Sequence, residues 1–188
     1  FTYVPSVGLF LIVAWGAKDL SHVLRFPRAA LAVTAAGLAL ACAAMTRQQV
    51  RYWESNLSLW ERAVAVTTQN YWAEDRLGVA LADAGRLDQA VTHYASALAI
   101  WPEFPEAHNN LGTARVDQGR TEDAIQEFGA AARLKPNEPM FHYNLAVVLN
   151  EAGRTSDAIR EIKAAVRLRP NDSSFTRALS LIARDSSK

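Results

Sequence analysis

Residues 105–138 read PEAHNNLGTARVDQGRTEDAIQEFGAAARLKPNE, and the same pattern recurs on both sides of this stretch. Its second proline, Pro136, has evenly spaced counterparts at Pro102 and Pro170. Two more series keep the same spacing: Gly85, Gly119 and Gly153, and Ala90, Ala124 and Ala158. A 34-residue period indicates a stack of helical hairpins. The sequence therefore predicts an all-α solenoid, which offers an extended concave surface for binding.

Three full units follow from this period. Each unit closes shortly after its proline, which gives the ranges 71–104, 105–138 and 139–172. A glycine such as Gly119 fits the end of the first helix, where the backbone becomes left-handed. The closing proline cannot donate the next helical hydrogen bond, so it ends the second helix. Small residues on the first helices predict close contact within each hairpin: Gly78, Gly112 and Ala146.

Both flanks of the three units fit the same period. Residues 47–70 are interpreted as a junction and a half repeat, because Leu57, Trp60, Ala63 and Val66 are in phase with a second helix. Residues 173–188 are interpreted as a capping helix and tail. There, an apolar stripe recurs at i, i+3, i+4 and i+7, as in a one-sided amphipathic helix, at Phe175, Ala178, Leu179 and Ile182.

Residues 1–46 carry two apolar runs, 1–17 and 29–46. The second run holds no charge, and as a helix it would be about 27 Å long, close to the roughly 30 Å of a hydrocarbon core. We predict a transmembrane helical hairpin joined by 18–28, at the end of a larger membrane domain. The alternative is a buried helical pair in a soluble protein. The chain begins with Phe1 and not Met, so we expect a piece of a longer protein.

Basic residues suggest an orientation for this hairpin. Lys18, Arg25 and Arg28 lie in the connection, and Arg47 and Arg51 follow the second run. Short loops rich in Lys and Arg stay on the cytoplasmic side. The expected location is therefore integral to the membrane, with the repeats on the extracytoplasmic side.

The composition excludes several function classes. The formal net charge is +1, and a nucleic-acid-binding domain needs a clustered basic face. The single cysteine, Cys42, excludes an internal disulfide framework. The chain has no phosphate-binding glycine loop, nucleophile elbow or HExxH pair. His108 and His142 are one repeat period apart, but no third ligand follows at helical spacing. No catalytic residue, cofactor or metal is therefore predicted in this chain.

The residues that recur in each unit resemble the tetratricopeptide repeat. In the middle unit they are Leu111, Gly112, Ala124, Phe128, Ala131 and Pro136. The resemblance implies that the first helix of each unit lines a concave groove for a protein or peptide partner. The groove would then hold Asp75, Val79, Asp83, Asn109, Thr113, Asp117, Tyr143, Val147, Asn150 and Glu151.

Three of these groove residues are acidic and recur at the same position of each unit: Asp83, Asp117 and Glu151. One hypothesis is that they recognise a basic partner. The other is that each pairs with the arginine that closely follows it in sequence, at Arg86, Arg120 and Arg154.

A second resemblance starts at the N-terminal segment 2–10, TYVPSVGLF. It is similar to a Tyr-x-Tyr-x-Pro-Ser-x-Gly-like segment late in the membrane domain of transmembrane and tetratricopeptide repeat proteins. These proteins and their bacterial relatives resemble C-type protein O-mannosyltransferases. The resemblance implies a location in the bacterial inner membrane. The family's catalytic acids lie in early extracytoplasmic loops, so no catalytic role carries over to any residue of this chain.

Three hypotheses for function remain open at this point. The first is a membrane-tethered scaffold, anchored through 1–46, that binds a protein or peptide in its groove. The second is the C-terminal part of a polytopic glycosyltransferase whose repeats present the acceptor protein. The third is a soluble assembly factor.

Overall fold

The computed structural model describes residues 28–51 and 55–185. The regular structure in these ranges is α-helical, which confirms the predicted all-α class. The chain divides into two compact units, 1–51 and 52–188. The helices are α1 (Arg28–Arg51), α2 (Asn56–Val66), α3 (Tyr71–Asp83), α4 (Leu87–Ile100), α5 (Pro105–Asp117), α6 (Thr121–Leu134), α7 (Pro139–Glu151), α8 (Thr155–Leu168) and α9 (Ser173–Asp185).

The first compact unit contributes the helix α1. It includes the predicted helical run 29–46, whereas residues 1–27 lie outside the described part of the chain. Among the residues that the structure describes, no helix has both the length and the apolarity needed to cross a membrane. The predicted transmembrane hairpin is therefore not shown. The run is rich in alanine, which favours insertion much less than leucine does.

The second compact unit is the predicted solenoid. The first helices of its hairpins begin at Tyr71, Pro105 and Pro139, which are the first residues of the three predicted units. Pro105 and Pro139 occupy the first turn of their helices, where a missing N–H costs nothing. The second helices end at Ile100, Leu134 and Leu168, just before each closing proline.

Each hairpin turns at a glycine with a left-handed backbone, as predicted. The φ angles are 74° at Gly85, 72° at Gly119 and 74° at Gly153. After Gly85, the Arg86 N–H donates to the Leu81 carbonyl at 2.9 Å, and the other two turns repeat this bond. Such bonds satisfy carbonyls that the helix end leaves without a partner. A side chain at these glycines would strain the turn.

The two helices of a hairpin approach closely at the predicted small residues. A Cβ placed on Gly78 would lie 2.5 Å from the Tyr94 ring, and one on Gly112 would lie 2.8 Å from the Phe128 ring. Both rings are buried, so neither can move aside without cost. In the third unit Ala146 is at the glycine position, and the smaller Ile162 is at the ring position.

Helices at both ends cover the cores of the outer units. On α2, Leu57, Trp60 and Val64 pack against the core of the first unit, whereas Val66 is exposed. On α9, Phe175 and Ile182 are buried against the core of the third unit. The helix α9 begins at Ser173. The Asp172 carboxylate accepts from the Ser174 hydroxyl and from the Ser174 N–H, the latter at 3.0 Å, and these bonds lower the pKa of Asp172.

Candidate functional site

Hydrogen bonds join the first helices of successive units. The Asn110 Nδ2 donates to the Asp75 Oδ1 at 2.8 Å, which links α5 to α3. The Asn144 Nδ2 donates to the Asn109 Oδ1 at 2.8 Å, which links α7 to α5. The first helices therefore lie side by side on one side of the array. We call the surface of α3, α5 and α7 the groove face.

Asp75 differs from its expected place on the groove face. Its side chain is completely buried. One carboxylate oxygen accepts from Arg76 at 2.5 Å and 3.0 Å, and the other accepts from Asn110. The Arg76 guanidinium in turn lies 4.7 Å from the centre of the Trp72 ring. Asp75 is thus a paired internal charge that connects two units, and a partner cannot reach it.

Three other expected groove residues make contacts within the array. The Asn109 Oδ1 accepts the bond from Asn144, and Val79 packs in part against the core of the first unit. Asn150 is half-buried, and its carbonyl accepts the N–H of the turn residue Gly153.

Four of the expected residues come together around an apolar depression, which we call the notch. It lies between the second and third units and has a volume of about 200 Å³. The sequence predicts four of the eight lining residues. It did not predict the other four, although one of them, Val116, follows Thr113 at the helical spacing i+3. The expected lining residues are Thr113, Tyr143, Val147 and Glu151, and the additional ones are Val116, Phe128, Asn144 and Val148.

The three phased carboxylates are exposed and do not pair with their neighbouring arginines. Arg86 lies 3.9 Å from Glu61, Arg120 pairs with Asp123, and Arg154 pairs with Asp157 at 3.1 Å. The hypothesis of local pairing is therefore wrong. Within the described residues, no ion pair neutralises the acidic set of Asp83, Asp117 and Glu151.

The two phased histidines are structural bridges between units. The His108 Nδ1 lies 2.6 Å from the Glu127 carboxylate, and its Nε2 lies 3.0 Å from the Pro102 carbonyl. His142 makes the same contacts with Glu161 and Pro136. Because both ring nitrogens of His108 face acceptors, its protonated imidazolium satisfies this geometry, and the Glu127 carboxylate raises the pKa of His108. In the first unit the residues are exchanged, with Glu74 on the first helix and His93 on the second, 2.7 Å apart.

The groove face has features of a surface that binds a peptide segment. Within the described residues, no group of three or more His, Cys, Asp or Glu side chains is placed to hold a metal ion. The groove face instead combines an open apolar notch, exposed carboxylates and hydroxyl and amide groups. Apolar anchors with polar surroundings are typical of protein interfaces.

Comparisons with known proteins agree with the fold. The sequence profile of the tetratricopeptide repeat matches residues 76–139 and 109–173. The chain is 32% identical, over 111 residues, to the Drosophila melanogaster protein O-mannosyl-transferase Tmtc3. That match covers 56% of this chain and 12% of the relative.

Similar solved structures share the fold. One is the first tetratricopeptide domain of Spaghetti (RPAP3) bound to the HSP90 peptide SRMEEVD, with a TM-score of 0.62 and 17% identity. The match covers 66% of the present chain and 99% of the Spaghetti (RPAP3) chain. Another is MamA from Desulfovibrio magneticus RS-1, with a TM-score of 0.64 and 18% identity. That match covers 70% of the present chain and 74% of the MamA chain. Taken with the profile that spans most of the array, the repeat geometry shows that this chain belongs to the tetratricopeptide repeat family.

Proposed function

We propose that the array is a scaffold that holds a segment of a partner protein along the groove face. The observation that carries this proposal is the open notch on the groove face, which is lined by side chains of α5, α6 and α7. A pocket of this kind can take one anchoring side chain of a partner. The related fold of Spaghetti (RPAP3) holds a peptide, which supports the same class of ligand here.

The remaining groove residues would contribute mainly to complementarity. Exposed groups such as Thr113 and Asp83 can contact the partner's polar groups, but each contact contributes little on its own. The affinity would therefore depend on a few anchored residues. Such scaffolds bind without a large change of their own backbone when the surface is already formed.

The test is a selection of peptides from a random library against the purified chain, followed by fluorescence anisotropy. Thr113→Arg places a bulky side chain on the groove face at an exposed helical position. The matched control is Gln126→Arg, at an exposed position of the second helix of the same hairpin. We expect Thr113→Arg to weaken binding by more than about tenfold, the loss of one anchor, and Gln126→Arg to leave it unchanged. Equal effects of the two variants, with intact helical signal, would contradict the proposal.

The similarity to Tmtc3 favours a second candidate function. In this candidate the chain is the C-terminal part of a polytopic, C-type glycosyltransferase, and its repeats present the acceptor protein. An integral membrane location, with the repeats on the extracytoplasmic side, belongs to the same candidate. No catalytic residue is assigned to this chain.

Three measurements on the natural protein test this candidate. Protease added to intact spheroplasts should digest the repeats from outside, and carbonate washing should leave the protein in the membrane fraction. The rate of mannose transfer from a lipid-linked donor to an acceptor protein bound by the repeats should be lower in the Thr113→Arg variant. Release by carbonate, or transfer that is independent of capture, would exclude the candidate.

A further inference from the structure

The notch is smaller than most small-molecule binding sites. Its volume is about 200 Å³, whereas small-molecule sites usually have roughly 300–1,000 Å³. The side chains of Phe128 and Val148 are buried and contribute an apolar floor. Val116 and Val147 contribute further apolar surface. A single aliphatic side chain matches this size and chemistry.

The charge around the notch is negative. Glu151 is the charged residue of its lining, and it is exposed. Asp117 directly follows the lining residue Val116 and is exposed as well. Within the described ranges, neither carboxylate has an ion-pair partner.

Nearby cations do not offset this charge. Arg120 and Arg154 follow the two carboxylates in sequence, but they pair with Asp123 and Asp157. Arg115 donates to the Gln118 Oε1 at 3.0 Å, and Gln118 donates to Asp88 of the preceding unit. Arg115 is thus hydrogen-bonded to Gln118, which contacts the first unit, whereas the notch lies between the second and third units.

We propose that the notch binds an aliphatic side chain from a basic, unstructured segment of the partner protein, with a neighbouring Lys or Arg facing Glu151. This inference rests on the proposed function and names the class of segment that the groove face takes. The positive charge complements the unpaired carboxylates, and the aliphatic group fills the notch. An acidic segment would bring its charge against Glu151 and Asp117, where no free cation lies within the lining.

The experiment uses synthetic twelve-residue peptides and the intact chain. The probe has a central leucine flanked by arginines; one comparison peptide replaces leucine with serine, and another replaces the arginines with glutamates. Fluorescence anisotropy is measured for the wild type, Val147→Lys and Glu151→Gln. The matched controls are Leu134→Lys, an exposed apolar position outside the notch, and Glu122→Gln, an exposed carboxylate on α6.

We expect the leucine–arginine peptide to bind best. Val147→Lys should weaken it more than about tenfold, because it removes apolar surface and adds a like charge. Glu151→Gln should weaken the binding of this peptide by up to about fivefold, as for the loss of an exposed ion pair. It should also make the affinity less dependent on salt concentration. The two control variants should bind like the wild type.

The outcomes of this experiment distinguish a failure of this inference from a failure of the proposed function. If the glutamate peptide binds better, or if the leucine and serine peptides bind equally, this inference is overturned. The proposed function still stands in that case, provided that Thr113→Arg blocks the peptides that do bind. The inference would also be overturned if copies of the chain bind one another and Val147→Lys abolishes this self-association. If selection yields no peptide and none of the three probes binds, both proposals fail.

Discussion

At the residue scale, the contact between Gly112 and Phe128 sets the distance between two helices. A tryptophan at position 112 has no room beside the buried ring, since even a Cβ would lie 2.8 Å from it. Overpacking a core usually costs about 1–3 kcal/mol, and an indole here should cost more. We expect Gly112→Trp to lower the unfolding midpoint in urea markedly. An unchanged midpoint would contradict the assigned register of the repeats.

The third unit suggests a compensating pair at the same contact. Its residues at these positions are Ala146 and Ile162. We therefore expect Gly112→Ala and Phe128→Ile together to destabilise the array less than the sum of the single variants, by at least about 1 kcal/mol. Urea unfolding of the four proteins gives the coupling free energy. Additive effects would show that the two positions are not in contact.

His108 should make the stability depend on pH. The Glu127 carboxylate raises the pKa of His108, and the Pro102 carbonyl adds to this shift. Because the folded pKa lies above the unfolded value of about 6.5, the stabilisation is complete below about pH 6.5. It is lost as the pH rises through the folded pKa.

His108→Gln keeps a neutral donor and removes this titration. We expect the free energy of unfolding of the wild type to fall relative to that of His108→Gln between pH 6 and pH 9, by up to about 1 kcal/mol. Urea titrations at each pH provide the measurement. Parallel curves for the two proteins would show that His108 does not titrate in its bridge.

Residue-scale features were predictable from the sequence where the constraint is local. The left-handed turn at Gly119 follows from its position after a helix, so the repeat period was enough to identify it. The bridge of His108 was missed because its partner Glu127 lies on another helix of the hairpin. The exchanged pair of Glu74 and His93 hides the pattern further, since neither histidine nor glutamate occupies the same position in all three units.

At the element scale, α9 closes the open end of the array. Phe175 is 1% exposed, and its ring centre lies 5.3 Å from that of Tyr143. Replacing a buried phenylalanine by alanine usually costs about 3–5 kcal/mol. We expect Phe175→Ala to lower the melting temperature, whereas the control Leu181→Ala, at a position that is 46% exposed, should have little effect. Equal melting temperatures for the two variants would show that α9 does not cap the third unit.

Element type was easier to predict than element role. The run 29–46 was predicted as a helix and lies within α1. Its membrane role rested on length and on the absence of charge, and within the described residues no helix qualifies as a membrane span. Periodicity thus identifies a helix, but the free energy of its burial depends on composition and on what covers it.

At the scale of the whole molecule, the groove face could be predicted in outline. The repeat period places one helix of each hairpin on one side, so residues such as Thr113 and Val147 were found. Asp75 was misplaced because its burial depends on the next unit, whose Asn110 reaches back to it. The floor of the notch was missed since Phe128 belongs to a different helix and also forms part of the core.

The groove face is tested most directly by photo-crosslinking of a bound peptide. p-Benzoylphenylalanine would replace Thr113 on the groove face in one protein and Gln126 on α6 in another, both at exposed positions. With a peptide selected against the chain, we expect a crosslinked product from position 113 and none from position 126. Crosslinking from position 126 alone, or equally from both, would contradict binding along α3, α5 and α7.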